Sequence, residues 1–96
     1  MKLHELKIKR KYFEEIIAKH KPFELRKNDR DFQVGDLVNF TIVDEEPAQG
    51  ALNQLLEKIK YPQMVFRITY VLKDVPEYGL DKDYCIFGIK LLKEDQ

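Results

Sequence analysis

Lys21, Glu24 and Arg26 are the residues of this 96-residue chain whose types and spacing could do chemistry. Residues two apart on a strand point to the same side, so Glu24 and Arg26 would share one face. Lys21, at the turn before that strand, could lean over the same face. A lysine and a guanidinium beside a carboxylate can orient a polar substrate or support proton transfer. The alternative is an exposed cluster of ion pairs, which contributes little to stability.

Several catalytic classes are excluded by residues that the chain lacks. It contains no serine, and its threonines, Thr41 and Thr69, fall in predicted strands, which excludes a Ser/His/Asp nucleophile arrangement. No glycine-rich phosphate loop is present. The histidines, His4 and His20, lie far from the single cysteine, Cys85, so we expect neither a metal nor a cofactor. Cys85 falls on the apolar side of a predicted strand, where a buried, unreactive thiol is expected.

The size and composition predict one small domain covering residues 1–96. No apolar stretch approaches the roughly 20 residues needed to cross a bilayer, so no membrane partner is expected. A single cysteine cannot form an internal disulfide, and the first residues lack the apolar stretch of a signal peptide. We therefore expect a cytoplasmic protein that is a monomer or a weak dimer.

Charge is unevenly distributed along the chain although the formal net charge is zero. Residues 1–30 carry ten Lys/Arg and five Asp/Glu, a balance of +5, and the remaining residues carry −5. Such asymmetry is typical of a basic patch for an anionic partner. The alternative is that the two halves neutralise each other in the folded chain.

Hydrophobic periodicity predicts the element order β-α-β-β-α-β-β. The predicted strands cover residues 4–8, 22–27, 37–43, 64–72 and 84–92, and the predicted helices cover residues 10–19 and part of 44–63. Residues 93–96 are predicted to be a frayed tail. Five strands and two helices in so short a chain indicate an α+β fold, a small curved sheet or β-barrel with a helix against it.

Alternation within the strands predicts which side chains share a face. Phe23 and Leu25 alternate with Glu24 and Arg26, which is typical of a half-buried strand. Later in the chain, Phe66, Ile68 and Tyr70 are predicted to face one way, and Arg67 and Thr69 the other.

Residues 44–63 are interpreted as a helical insertion. The apolar positions of this segment fall at helical spacing: Leu52, Leu55, Leu56 and Ile59. Core packing is the simplest interpretation of this stripe, and a lid or a dimer contact are the alternatives.

Four stretches carry a resemblance to a known family: residues 4–8 (HELKI), 12–13 (YF), 21–36 (KPFELRKNDRDFQVGD) and 84–91 (YCIFGIKL). Over residues 3–43 and 64–92 the chain resembles a family of short bacterial and phage domains of unassigned function, within the ASCH group of the PUA-like superfamily. The shorter ASCH signature is Lys21-x-x-Glu24-x-Arg26. The resemblance implies a PUA-like β-barrel with one opening covered by a helix, and a cleft lined by residues 21–26.

The resemblance also implies two kinds of activity. ASCH domains are generally proposed to bind RNA, and PUA domains bind it. Some small bacterial ASCH proteins are amidohydrolases that act on N4-acylated cytidine, using a lysine and, three residues further on, a nucleophilic threonine. Lys21 matches that lysine, but Glu24 occupies the position of the threonine, so this chain departs from the hydrolase pattern.

The first functional hypothesis is a module that binds RNA or a nucleotide-like ligand. The candidate ligand-binding residues are Lys21, Glu24, Arg26, Lys27, Asn28, Arg30 and Lys7, with His4 at the periphery. The arginines would contact phosphates or base edges through paired hydrogen bonds, the lysines would face phosphates, and Glu24 and Asn28 would read polar base edges. Exposed bases make single-stranded RNA a better fit than a duplex.

Some candidate residues have an ordinary structural alternative. His4 opens the first strand, and such a histidine is more often a hydrogen-bonded structural residue than a ligand-binding one. Tyr61, Tyr78 and Tyr84 could stack on bases, or pack at a barrel rim.

Two further hypotheses remain open from the sequence. In a hydrolase of modified nucleosides, Glu24 would activate water as a general base, Lys21 would lower the pKa of Glu24 or hold the leaving group, and Arg26 would stabilise an oxyanion. In a phage or host interaction protein, the fold would be a scaffold and the inserted helix would carry the contact.

Overall fold

The computed structural model describes residues 1–43 and 64–92. The strands and helices in chain order are β1 (Leu3–Lys9), α1 (Arg10–Ile17), β2 (Phe23–Lys27), β3 (Leu37–Val43), β4 (Val65–Leu72), a short 3-10 helix (Pro76–Tyr78) and β5 (Tyr84–Leu91). These elements match the five predicted strands and the first predicted helix within a few residues. The second predicted helix and the predicted tail lie outside the described residues.

The five strands form one sheet, in the order β1-β3-β4-β5-β2. β1 pairs with β3 in parallel, and the other neighbouring pairs are antiparallel. The sheet curls into a half-barrel, and the described part of the chain is a small α+β domain. This topology makes β1 and β2 the two edge strands.

The hydrophobic core lies on the concave side of the curled sheet. Every strand except β2 contributes apolar side chains to this core, and α1 adds Phe13 and Ile16 from its buried face. Ring contacts extend through the core from Phe13 to Phe40 and from Phe40 to Phe66, with ring centroids 6.1 Å and 5.5 Å apart. Because this side is dry, any polar side chain that points inward needs a partner.

β2 points Glu24 and Arg26 inward. Glu24 is only 4 % exposed, whereas its neighbours Phe23 and Leu25 are 40 % and 54 % exposed. The predicted alternation is therefore present, but the buried side is the one that carries Glu24 and Arg26. Burial of a carboxylate requires compensating charge and hydrogen bonds. The inward face of β2 is therefore the candidate functional site.

The alternation of side chains between the two faces of the sheet is interrupted in the middle of β4. The register with β5 shifts between Ile68 and Tyr70, which places a β-bulge at Thr69. The bulge turns Tyr70 to the outer face, where it is 63 % exposed, while Ile68 remains fully buried. The prediction that Tyr70 shares a face with Ile68 was wrong, because strict alternation does not survive the extra residue.

The turn after α1 delivers Lys21 to the start of β2. His20 N donates to Glu15 O at 3.0 Å and Lys19 N donates to Ile16 O at 3.0 Å, the paired hydrogen bonds of a Schellman motif. Lys19 has the left-handed conformation that this motif requires, with φ of 67°. The next amide, of Lys21, donates to the carbonyl of Glu15 at 3.2 Å, which fixes the backbone beside the site.

Candidate functional site

Glu24 lies between two cations. Its Oε1 accepts a hydrogen bond of 2.9 Å from Arg26 Nε, and its Oε2 accepts one from Lys21 Nζ. All three side chains are at least three-quarters buried, so the attractions act with limited solvent screening. We refer to Lys21, Glu24 and Arg26 as the triad. The structure thus brings together the three residues on which the sequence signature rests.

Two aromatic rings border the triad. Lys21 Nζ lies 5.4 Å from the ring centroid of Tyr12 and 5.3 Å from that of Phe23, within the range of cation–π attraction. Both rings are partly exposed. Tyr12 comes from α1 and Phe23 from β2, so two different elements place flat apolar surfaces beside the buried carboxylate. Sequence reasoning did not assign either ring to the site, although both lie inside the stretches that carry the family resemblance.

Two arginines reach the edge strand β1, Arg26 from β2 and Arg30 from the loop after β2. Arg26 donates to the carbonyl of Lys7 at 2.7 Å, and Arg30 donates to the carbonyl of Glu5 at 3.1 Å. Glu5 and Lys7 are two residues apart on β1, so both carbonyls point from the same edge. The arginines therefore supply donors to an edge that β3 does not cover. We call this row of contacts the seam.

Lys7 contacts the triad through its main chain only. The carbonyl of Lys7 accepts the hydrogen bond from Arg26, whereas the Lys7 side chain is exposed on the side of β1 that faces away from the core. Lys27 is exposed too, but it follows the outward alternation of Phe23 and Leu25. Lys27 thus lies on the opposite face of β2 from Glu24.

Asn28 ends the row of polar residues that begins with Glu24. Its backbone N donates to Asp83 O at 2.8 Å, which extends the β2–β5 pairing by one position. Its side-chain Oδ1 is buried and has no hydrogen-bond partner among the described residues. An unpaired buried acceptor costs roughly 1 to 3 kcal/mol, so this amide is a weak point in the packing of the site.

His4 belongs to a separate buried cluster. Its Nε2 donates to Asp36 Oδ2 at 2.8 Å, and its ring lies 4.7 Å from the ring of Phe32. Asp36 also accepts hydrogen bonds from the backbone N–H groups of Lys2 and Gln33, both at 3.1 Å. The pair connects β1 to the loop before β3, which is the structural role that the sequence offered as the alternative for His4.

The environment of Asp36 shifts its acidity. Burial alone would raise the pKa of the Asp36 carboxyl, but the hydrogen bonds from His4, Lys2 and Gln33 outweigh it, and the pKa lies below its ordinary value. Asp36 is therefore held as an anion paired with His4. We refer to the hydrogen-bonded pair of His4 and Asp36 as the clasp.

Cys85 is fully buried in the core, on the inward face of β5. Burial raises the pKa of its thiol, and the negative charge of Asp29 adds to the rise while Lys73 partly offsets it. This is the environment of an unreactive structural thiol. Within residues 1–43 and 64–92, no group of three His, Cys, Asp or Glu side chains could hold a metal ion. In the same part of the chain, no helix is long and apolar enough to span a membrane.

Comparison with known proteins identifies the family. Residues 3–89 match the family model described as a domain of unknown function (DUF3850), which covers most of the chain. The chain therefore belongs to the DUF3850 family. No curated protein matches it.

Proposed function

We propose that this domain binds RNA or a nucleotide-like ligand at the triad and the adjoining seam. The observation that carries the proposal is the buried carboxylate of Glu24, held between Lys21 and Arg26. Such an arrangement is expensive to bury and does little for stability compared with an apolar pair. Ligand recognition gives it a purpose, because a clamped carboxylate holds two cationic donors in fixed positions.

The donors left over at Arg26 define what could bind. A guanidinium has five N–H donors, and Glu24 and the carbonyl of Lys7 occupy two of them. The triad has one carboxylate and two cations, so its local charge is positive. Planar donors in a positively charged setting suit a phosphate or the acceptor edge of a base. The rings of Tyr12 and Phe23 add flat surfaces on which a base could stack.

Binding is favoured over hydrolysis by the state of Glu24. Both of its oxygens accept hydrogen bonds from cations, so its contacts are those of a residue that positions Lys21 and Arg26. Glu24 is better suited to orient Lys21 and Arg26 than to act as a general base. The hydrolase alternative would require a water to reach a remaining lone pair of one of these oxygens.

We also assign the half-barrel to the PUA-like superfamily and to its ASCH group. The support is the signature Lys21-x-x-Glu24-x-Arg26, together with a helix directly after the first of five strands. The lone, fully buried Cys85 fits a reducing compartment, and the cytoplasm is the compartment that we propose.

Fluorescence anisotropy with labelled, mixed-sequence single-stranded RNA over a salt series tests the proposal. We expect affinity that falls linearly with the logarithm of salt concentration. Arg26→Gln should weaken binding about tenfold or more, and the exposed Lys82→Gln should not. Absence of binding at low salt would overturn the proposal. Turnover of an N4-acylated cytidine by wild type, lost in Glu24→Gln, would favour the hydrolase instead.

A further inference from the structure

The outer face of the sheet carries three exposed aromatic side chains on β2, β4 and β5. Phe23, Tyr70 and Tyr84 are 40 %, 63 % and 42 % exposed, although each lies within a strand. Their positions in the register put them all on the convex side, opposite the core. A group of exposed aromatic rings on one face often marks an interaction surface, whereas single scattered apolar residues are ordinary on protein surfaces.

Phe23 and Tyr70 lie at either side of a glycine. Gly88 on β5 pairs with Phe23 on β2 and with Tyr70 on β4. The two aromatic residues are therefore two strand spacings apart, about 10 Å, and β5 contributes no side chain between them. A Cβ at position 88 would lie 2.8 Å from Thr69 Oγ1, so the threonine hydroxyl lies over the glycine. The result is a slot with aromatic walls and a polar floor.

The charge of this face has one sign. Its basic residues are Lys27, Arg67 and Lys90, at the two ends of the aromatic row. No acidic side chain occurs among the outward-facing residues of β2, β4 and β5 as the structure describes them. In a chain with equal numbers of acidic and basic residues, such segregation points to an anionic partner.

Arg67 and Lys90 face each other directly across the β4–β5 pair, and both are exposed. Like charges in opposite positions destabilise a sheet by a few tenths of a kcal/mol or more. An anion lying between them would remove that repulsion. The pair is therefore a second sign, independent of the aromatic rings, that this face meets negative charge.

We propose that the outer face of β2, β4 and β5 binds single-stranded nucleic acid, with bases stacked on Phe23, Tyr70 and Tyr84 and phosphates near the flanking cations. Stacking of unpaired bases on sheet aromatics, beside positive charge, is a general mode of single-strand recognition. A duplex is a poorer fit because its base faces are already stacked. The absence of acidic side chains from this face favours a polyanion such as nucleic acid over a protein partner, because a protein surface carries charges of both signs.

The outer face adjoins the triad. Phe23 lies on the outer face and borders the triad, because Lys21 Nζ lies 5.3 Å from the centroid of its ring. A single nucleic-acid chain could thus contact both the triad and the slot. The proposal nevertheless stands on residues outside the triad, and Tyr70 is the residue that separates the two surfaces experimentally.

The test compares three labelled ligands in anisotropy titrations: single-stranded oligouridylate, an abasic oligomer of the same length, and the corresponding duplex. We expect the oligouridylate to bind most tightly. Tyr70→Leu should weaken its binding about tenfold, in the range found for one stacked base. Tyr78→Leu is the matched control, since Tyr78 is 83 % exposed on the 3-10 helix and not on this face.

Lys90→Glu should change affinity and stability in opposite directions, which a purely structural role of Lys90 would not predict. It replaces a like-charge pair with an opposite-charge pair, so thermal stability should rise slightly while affinity for the oligouridylate falls. Lower stability together with unchanged affinity would contradict the proposal.

The outcomes separate this surface from the triad. If Arg26→Gln abolishes binding but Tyr70→Leu binds like wild type, the outer-face proposal fails and the triad proposal stands. Equal affinity for the abasic oligomer also overturns it, as does a dimer in sedimentation velocity that Tyr70→Leu dissociates. If wild type binds none of the ligands, both proposals fail.

Discussion

The side chain of Arg26 donates a hydrogen bond of 2.7 Å to the main-chain carbonyl of Lys7, and so joins the two edge strands of the sheet. The same guanidinium donates to Glu24 through Nε. Only a forked side chain can satisfy both acceptors at once. Arg26 therefore belongs to both the seam and the triad.

Arg26→Lys should destabilise the domain even though it keeps the positive charge. The lysine can reach one acceptor but not both, so we expect the free energy of unfolding to fall by about 1 to 3 kcal/mol. Urea titration followed by circular dichroism measures the change. Lys27→Gln, on the exposed side of the same strand, should stay within about 0.5 kcal/mol of wild type. Equal stability of Arg26→Lys and wild type would show that the paired contacts of Arg26 contribute nothing to stability.

The clasp between His4 and Asp36 predicts a loss of stability in acid. Because the pKa of Asp36 is lower in the folded than in the unfolded chain, its contribution is complete above the unfolded value of about 3.9 and is lost as pH falls through the folded value. The free energy of unfolding should therefore decrease as pH drops below about 4. Unfolding titrations at several pH values measure the slope.

Two variants isolate the part of that slope that belongs to Asp36. Asp36→Asn should be less stable than wild type at neutral pH by about 1 to 3 kcal/mol, with a shallower decline in acid. Asp83→Asn, at an exposed position, should keep the slope of wild type. A slope for Asp36→Asn that equals the wild-type slope would rule out the clasp as the acid-sensitive element.

The sequence predicted the strands, because alternation and β-branched content are local properties. It did not predict which face of β2 is buried. Phe23 and Leu25 are the apolar pair, but the register of β2 with β5, in which Glu24 pairs with the buried Phe87, turns Glu24 inward and leaves the apolar pair outside. Strand order is set by contacts between distant parts of the chain, and no pattern within β2 contains that information.

The triad was predicted as a set of residues, since the signature places a lysine, a glutamate and an arginine together. The seam was not predicted. The acceptors of Arg26 and Arg30 are main-chain carbonyls of Lys7 and Glu5, and any residue type has such a carbonyl. The bulge at Thr69 likewise has no signal in the sequence, because the strand around it reads as unbroken.

Lys19→Gly should stabilise the domain. Lys19 occupies the left-handed position of the Schellman motif, with φ of 67°, where a side chain costs about 1 kcal/mol and glycine does not. We expect a gain of roughly 0.5 to 1 kcal/mol, because greater freedom of glycine in the unfolded chain offsets part of the relief. Thermal or urea unfolding measures it. Lys11→Gly, within α1, should instead destabilise by about 1 kcal/mol.

Cys85 should report on opening of the core. Because the thiol is fully buried and its pKa is raised, alkylation in native buffer should be more than about a hundredfold slower than in denaturant. Mass spectrometry after timed exposure to iodoacetamide measures both rates. Arg26→Lys should speed the native reaction about tenfold for every 1.4 kcal/mol of stability that it loses. Rapid alkylation of the native protein would place Cys85 in a locally mobile part of the sheet.

The pairing of Phe23 with Gly88 has a consequence for how this protein is made. Among the described strands β2 pairs only with β5, so during synthesis the residues of the triad leave the ribosome long before the strand that holds them in place. Such long-range pairing is slow to form. A message truncated before residue 84 would encode Lys21, Glu24 and Arg26 and still yield a product unable to assemble them. The arrangement of Lys21, Glu24 and Arg26 in the folded protein therefore requires that translation has passed β5.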